Sequence, residues 1–366
     1  MLSKNELRYT MALQRIPNLG DISVKKLLMK IGSAEEVFRE KKSNLAKIDG
    51  IGPLRVKEIN LKYHLDLADE ELHFIESNNI QWSYFQDREY PERLRHCPDG
   101  PILLFSKGNI DLVNKKLISI VGTRKITTYG DAFCQNLIEQ LSPLNPVIIS
   151  GLAYGVDICA HRAAIHNNLQ TIACLGHGLN RMYPEEHRKF KTQIEENGGF
   201  FTEFWSCDKF DKTNFLKRNR IIAGLSEATI VIESAEKGGS LVTADIAVSY
   251  NREVFAVPGR ATDVQSVGCN NLIKQQKAHV LTTAADIIYQ LGWEVAQKKP
   301  RQTQLFVELD EEEKMIFRFL KEKEKELLDI IALECRLPVF KVASLLMNME
   351  LKGVVRPLPG KLFQLA

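Results

Sequence analysis

Between residues 117 and 257 the chain repeats one pattern: a short unbroken apolar run, then a longer stretch with apolar positions at helical spacing. The runs occupy 117–121, 146–149, 171–175, 228–232 and 253–257. Continuous Ile/Val-rich segments such as ISIV, VIIS and TIVIE suit strands covered on both faces, as parallel strands are. The stretches 131–141, 157–166 and 241–250 have helical composition. Repeated strand-then-helix order predicts right-handed crossovers and an α/β fold, a Rossmann-like, doubly wound, mostly parallel sheet. The flanks differ. Residues 1–80 read as short helices separated by glycine-containing turns, a small all-α domain. The last sixty residues read as three helices and a hairpin around Pro359-Gly360, the apolar spacing of a winged helix. The expected divisions are therefore 1–80, 81–300 and 301–366.

Doubly wound sheets bind ligands at the carboxyl ends of their strands. Here several runs end in glycine or small polar residues: Gly122-Thr123-Arg124, Ser150-Gly151, Gly176-His177-Gly178 and Glu233-Ser234. Glycine lets the backbone approach a phosphate, and the following helix N-terminus offers free N–H groups. The same glycines also serve simple tight turns, but four such turns on one edge favour a phosphate-seeking rim. His177 on that rim is either a phosphate contact or an exposed loop residue. No GxGxxG follows the first strand, and no GxxxxGK[ST] or GxSxG occurs. Ordinary dinucleotide binding, P-loop hydrolysis and the hydrolase elbow are thereby disfavoured. Asp157 and His161, four apart, share a helix face and could serve as a general-base pair or as metal ligands. Without a third ligand at suitable spacing they read as a carboxylate near a helix start and a histidine packed on the sheet, and no metal or other cofactor is expected.

The densest chemistry lies in Lys212-Thr-Asn-Phe215-Leu-Lys217-Arg218-Asn219-Arg220, four cations and an aromatic within nine residues. A groove that follows a phosphate backbone needs Lys and Arg for charge and an aromatic ring for base faces. A second cluster, Arg181 and Arg188-Lys189-Phe-Lys191, follows the rim at His177. With Arg124, these clusters predict positive charge gathered on one edge. Near the N-terminus, Ile16-Pro17-Asn18-Leu19-Gly20 and Ile48-Asp49-Gly50-Ile51-Gly52 each precede an apolar helix, the helix–hairpin–helix pattern whose turn amides can hold a DNA phosphate. Lys47, Arg55 and Lys57 surround the second copy. The third C-terminal helix, 339–351, stands where a recognition helix would, yet carries only Lys341 near its start, with Lys352 at its end. So thin a charge suits protein contact at least as well as DNA reading.

Composition narrows the classes. The chain has 366 residues, 44% hydrophobic and 26% charged, with net charge +3, which excludes disorder and a polycationic coat on nucleic acid. Seven scattered cysteines without a CxxC pair fit a reducing cytoplasm better than a disulfide framework or zinc site. No apolar run reaches membrane-spanning length, and the first residues lack a signal-peptide core.

Taken together, the segments SIVGTRKITTYG, IISGLAYGVDICAHRAAI, TIACLGHGLNRMYP, FLKRNRIIAGLSEATIVIES, GGSLVTADIA, REVFAVPG and SVGCNNLI resemble the DNA-processing protein A family (DprA, also called Smf), in family order over about residues 81–290. The resemblance implies a cytoplasmic homodimer that binds single-stranded DNA in natural transformation, protects incoming strands, helps load the RecA recombinase and performs no catalytic turnover. It implies DNA contact by Arg124 after Gly122-Thr123, by Lys212, and by Phe215, Arg218, Asn219 and Arg220; Lys217 of the same basic segment and Gly239 and Ser240 are further expected contacts. Many members carry a lysine after the Tyr-Pro pair. This chain has Glu185 there, with Arg188 and Lys189 as the nearby alternatives. A competing class is a nucleotide phosphoribohydrolase on a related Rossmann-like fold, whose PGGxGTxxE signature would fall on 238–245. Leu241-Val242 replaces its second Gly-Thr step and the shorter Asp245 holds its acidic position, both unfavourable to that chemistry.

Overall fold

The computed structural model describes residues 2–57, 59, 61–294, 309–358 and 360–365. Among them, nine strands form one mixed sheet: β1 Gln81–Tyr84, β2 Leu103–Gly108, β3 Leu117–Val121, β4 Val147–Ser150, β5 Thr171–Cys174, β6 Gly198–Thr202, β7 Ala228–Val231, β8 Glu253–Ala256 and β9 His279–Val280. Their order is β1-β2-β6-β5-β4-β3-β7-β8-β9. From β6 to β9 all neighbours pair parallel, while β1 and β2 form an antiparallel edge. The five apolar runs are β3, β4, β5, β7 and β8. β6 escapes a hydrophobicity reading because it begins Gly198-Gly199, which adds no branched side chain.

Burial on both faces explains the unbroken runs. Along β3, Leu117 and Val121 enter one core and Ile118 and Ile120 the other. Helices Thr128–Leu141, Val156–His166 and Ala284–Gln290 pack on the second of these faces, and helices Lys212–Leu225, Gly239–Ser249 and Val267–Lys274 on the first. After β3 the chain steps outward through β4, β5 and β6, then returns to lay β7 along the opposite side of β3. Strand order reverses between β3 and β7, and such a reversal leaves a crevice beyond the strand ends.

The helices of residues 1–80 form as expected, but no break in packing follows them. Their core side chains, among them Met11, Leu27 and Val37, belong to the same apolar cluster as Leu104, Phe201 and Ile222 of the sheet layer. Met1–Val295 is one compact unit. Polar ties reinforce it: Lys25 Nζ donates to the carbonyls of Cys97 (3.3 Å) and Pro98 (3.2 Å), and Glu71 accepts from the Ser206 backbone N–H at 2.8 Å. The first hairpin is used in this docking. Asp21, which opens helix Asp21–Ile31, accepts from the Ile102 N–H at 3.0 Å, so that helix end faces protein. The second turn stays exposed, with Gly50 and Gly52 at φ +78° and +62°. Arg55 folds back on it, donating to Ser23 Oγ at 3.0 Å and to the Gly50 carbonyl.

Ala296–Ala366 forms the second unit. The expected boundary at 300 and Pro359 lie outside the described residues. Helices Glu311–Lys323, Leu328–Glu334 and Val339–Leu351 surround a core containing Ile316, Leu320, Ile331 and Leu346. A small antiparallel sheet of β10 Lys325–Leu327, β11 Val355–Leu358 and β12 Leu362–Leu365, in the order β10-β12-β11, completes the winged helix. Lys341 pairs with Glu312, and Lys352 lies 2.6 Å from the buried Glu313. Glu312 and Glu313 thus draw off the charge of the recognition-type helix.

Candidate nucleic-acid interface

The crevice predicted by the strand reversal is present and lies at the carboxyl ends of β3 and β7. Its walls come from Gly122-Thr123-Arg124 after β3, Ser234 and Lys237 after β7, the start of helix Gly239–Ser249, and Phe215, Leu216, Arg218 and Asn219 of helix Lys212–Leu225. It encloses about 330 Å³. Arg124 is exposed and makes no ion pair or side-chain hydrogen bond with another described residue. Its loop is held against helix Val156–His166, where the Val156 N–H donates to the Thr123 carbonyl at 3.1 Å. Gly155, at φ +76°, makes that approach possible, since a Cβ there would collide with the Thr123 carbonyl and the Arg124 backbone. Helix Gly239–Ser249 starts without a side-chain cap; the Leu241 N–H donates to the Gly238 carbonyl at 3.1 Å, while the amides of Gly239 and Ser240, both in the crevice lining, have no acceptor among the described residues, the arrangement that favours anions.

The nine-residue basic segment forms a helix, and helical geometry distributes its cations instead of aligning them. Phe215 lies at the junction of the crevice with an adjoining pocket lined by Arg124, Tyr154, Tyr183 and Pro184. Lys212 is exposed at the helix start. Arg218, 5% exposed, turns inward and donates to the Cys174 carbonyl at 2.5 Å. Burial draws its pKa down, against the opposing pull of the Asp157 carboxylate. Burial likewise raises Asp157, opposed by Arg218. Arg218 is therefore a wall of the crevice and an internal charge, not a surface cation along a strand. Asn219 is buried with its amide 3.5 Å from the Gly239 carbonyl.

Three of the expected DNA contacts lie outside the crevice lining: Lys212, exposed at the helix start, Lys217 and Arg220. Arg220 points to the opposite side of the helix, where it pairs with Glu203 and, at 3.1 Å, with Asp21, and donates to the Asp99 carbonyl. Lys217 lines the groove between the N-terminal helices and the sheet layer, with Asp21 and Glu203 among its neighbours. The reason is the 100° step per residue: positions 215, 217, 218 and 220 cannot share one face. Gly122, Thr123, Arg124, Phe215, Arg218, Asn219, Gly239 and Ser240 do converge on the crevice.

The second basic cluster does not join them. None of Arg181, Arg188, Lys189 and Lys191 lines the crevice, and Arg188 lies 2.8 Å from Glu185 and Lys191 3.9 Å from Glu195 in exposed ion pairs. His177 is buried, its Nδ1 2.9 Å from the Gly178 carbonyl, and burial lowers its pKa. His161 is enclosed between Thr171 Oγ (2.7 Å) and the Gly151 carbonyl (2.6 Å), a packed histidine. All seven cysteines are free. Among the described residues no three His, Cys, Asp or Glu side chains group to hold a metal, and no helix is long and apolar enough to cross a membrane. Asp245 sits on the exposed face of its helix, 2.8 Å from Lys277, outside the crevice where the phosphoribohydrolase reading needs it.

Several lining residues escape a reading of the sequence. Lys237 is exposed on the crevice wall, and its position just before the Gly-Gly step after β7 is the one signal that marks it. Tyr183 and Phe210, each 43% exposed, join Phe215 in an aromatic trio with ring centroids 4.7, 5.5 and 5.7 Å apart. Their separation in sequence hides the grouping.

The family model for DNA recombination-mediator protein A matches residues 81–292, and the DprA winged helix domain matches 300–361. Protein Smf of Escherichia coli K12 is 32% identical over 84% of this chain and 83% of its own length. DNA processing protein DprA of Streptococcus pneumoniae R6 is 38% identical over 54% of this chain and 70% of its own. The X-ray structure of DprA from Streptococcus pneumoniae superposes with a TM-score of 0.66 at 32% identity, covering 79% of this chain and 99% of that one. DNA processing protein A from Helicobacter pylori, a protein with a single-stranded DNA binding mode, gives 0.52 at 29% identity over 58% and 95%. With its Rossmann-like sheet, winged helix and glycine-lined crevice in the matched segments, this chain belongs to the DNA recombination-mediator protein A family.

Proposed function

We propose that the protein binds single-stranded DNA in the crevice between β3 and β7, with phosphates against Arg124, Lys237 and the amides at Gly239-Ser240, and bases against Phe215. The observation that carries this reading is the exposed, unpaired Arg124 at the strand reversal, beside the aromatic trio. Stacking on an aromatic ring tolerates any base and contributes roughly 1–3 kcal/mol per base. Duplex DNA hides its base faces, so the site selects single strands. The binding of single-stranded DNA by the Helicobacter pylori relative supports the same choice. In the cell, the protein acts as a cytoplasmic homodimer of natural transformation that shields incoming strands and helps load RecA, without catalytic turnover. Two copies of the groove on one dimer raise avidity through effective concentration.

The test is fluorescence anisotropy of a labelled oligonucleotide over a salt series. Arg124→Ala weakens single-strand binding and flattens the slope of log K against log salt by about 0.7 for each phosphate no longer neutralised. Equal affinity and slope in the variant refute the site.

A further inference from the structure

Arg124 extends from a loop of six residues, 122–127, and an exposed cation on a free loop would have to be ordered each time a strand binds. That loop is not free. Glu233, at the end of β7, is 3% exposed and grips it twice. Its backbone carbonyl accepts from the Thr123 N–H at 2.8 Å, immediately before Arg124. Its carboxylate accepts from the Thr127 N–H at 2.9 Å and the Thr127 hydroxyl at 2.5 Å, three residues after Arg124. The Thr127 hydroxyl in turn accepts from the Gly130 N–H at 3.2 Å and caps helix Thr128–Leu141. The parallel register that sets Val121 beside Val231 carries Thr123 to Glu233. A side chain at residue 130 would strike the carboxylate, so Gly130 leaves room for it. A buried carboxylate costs free energy unless hydrogen-bonded, and both of its oxygens here are engaged with the loop.

We infer that Glu233 is a positioning residue for nucleic-acid binding: it fixes the two ends of the Arg124 loop and so presents the guanidinium pre-ordered to a DNA phosphate. Glu233 touches no phosphate itself and carries the charge opposite to a phosphate-binding group. Its contribution passes through Arg124. A backbone residue released from the grip and ordered again on binding costs about 1–2 kcal/mol, a roughly fivefold to thirtyfold loss of affinity. The inference rests on Arg124 being a DNA contact, and the experiment separates the two.

Single-stranded oligonucleotide binding is measured for the full chain with Glu233→Ala, Glu233→Gln, Arg124→Ala and Glu233→Ala combined with Arg124→Ala, each checked by circular dichroism. Glu233→Ala weakens binding by roughly fivefold to thirtyfold. Glu233→Gln, whose amide oxygen still accepts from the Thr127 N–H and whose NH₂ donates to the hydroxyl, recovers most of it. The double variant binds no worse than Arg124→Ala alone, because a residue acting through another loses its effect when that other is gone. Additive losses in the double variant, or wild-type affinity in a folded Glu233→Ala, overturn the positioning role while leaving Arg124 as a contact. If Arg124→Ala itself binds as wild type, the site reading falls and the positioning role with it. Should Glu233→Ala fail to fold, the Glu233→Gln variant alone and in the Arg124→Ala background decides by the same coupling.

Discussion

Replacing Arg220 by Met tests whether this cation belongs to the DNA groove or to the interior. Its guanidinium lies between Glu203 and Asp21 and donates to the Asp99 carbonyl. The side chains of Arg220 and Glu203 are 12% exposed and that of Asp21 20%. Removing one partner of so enclosed a group leaves two carboxylates without their cation, and breaking a buried pair in this way costs about 3–5 kcal/mol. For a large folding unit, each kcal/mol lowers Tm by about 2 °C, so the variant should melt about 6–10 °C below wild type. The deficit should depend on pH. Burial already raises Glu203 to about 7, although Arg220 pulls it down. A carboxyl with a raised folded pKa contributes stability at low pH that is lost as pH rises through that value. With Arg220 gone, protonation of Glu203 relieves the loss near pH 6, and the deficit widens toward pH 8.5. Adding Asp21→Asn and Glu203→Gln should restore part of the stability, since the orphaned charges disappear. The assay is thermal unfolding at pH 6 and 8.5, with oligonucleotide anisotropy over a salt series well below Tm. A lower Tm with an unchanged salt slope assigns Arg220 to the interior. An unchanged Tm together with a slope flattened by about 0.7 would refute that assignment and return Arg220 to the DNA-contacting set.

Two further outcomes follow from the same geometry. Phe215→Leu removes the ring between the crevice and the adjoining pocket, and should lower single-strand affinity by about 1–3 kcal/mol without changing the salt slope. A large slope change in anisotropy would show that the ring holds a cation in place instead of stacking. His161 is neutral in its enclosure, its pKa lowered to about 4 chiefly by burial. The unfolded chain takes up this proton near pH 6.5, so the stability His161 contributes is full above that value and disappears as pH falls through about 4. The shift corresponds to about 3 kcal/mol. Denaturant titrations between pH 7 and 4 should show a correspondingly shallower decline for His161→Gln, and an identical decline would place the proton elsewhere.

Periodicity and composition alone determined much of this protein. Unbroken apolar runs identify β3, β4, β5, β7 and β8 because a strand buried on both faces has no polar side to show. The alternation of strand and helix then dictates the winding and the edge at which a ligand binds. Arg124 and Phe215 were legible because each sits at a fixed offset from that edge or within a dense local cluster. Charge was harder to read. A basic segment counts every lysine and arginine alike, while the helix it forms sends Phe215 to the crevice, Arg218 into the wall and Arg220 to Asp21 and Glu203. Which cation is left without a partner depends on acids that are distant in sequence or that a count of charge passes over: Glu312 for Lys341, Glu185 for Arg188, Asp21 and Glu203 for Arg220. The grouping of Tyr183 and Phe210 with Phe215, and the grip of Glu233 on the Arg124 loop, likewise exist only once the strands are in register. Local sequence sets what each segment becomes, because propensity and burial act over a few residues. Tertiary structure decides which charges are neutralised and which remain available, because electrostatic partners are chosen in space.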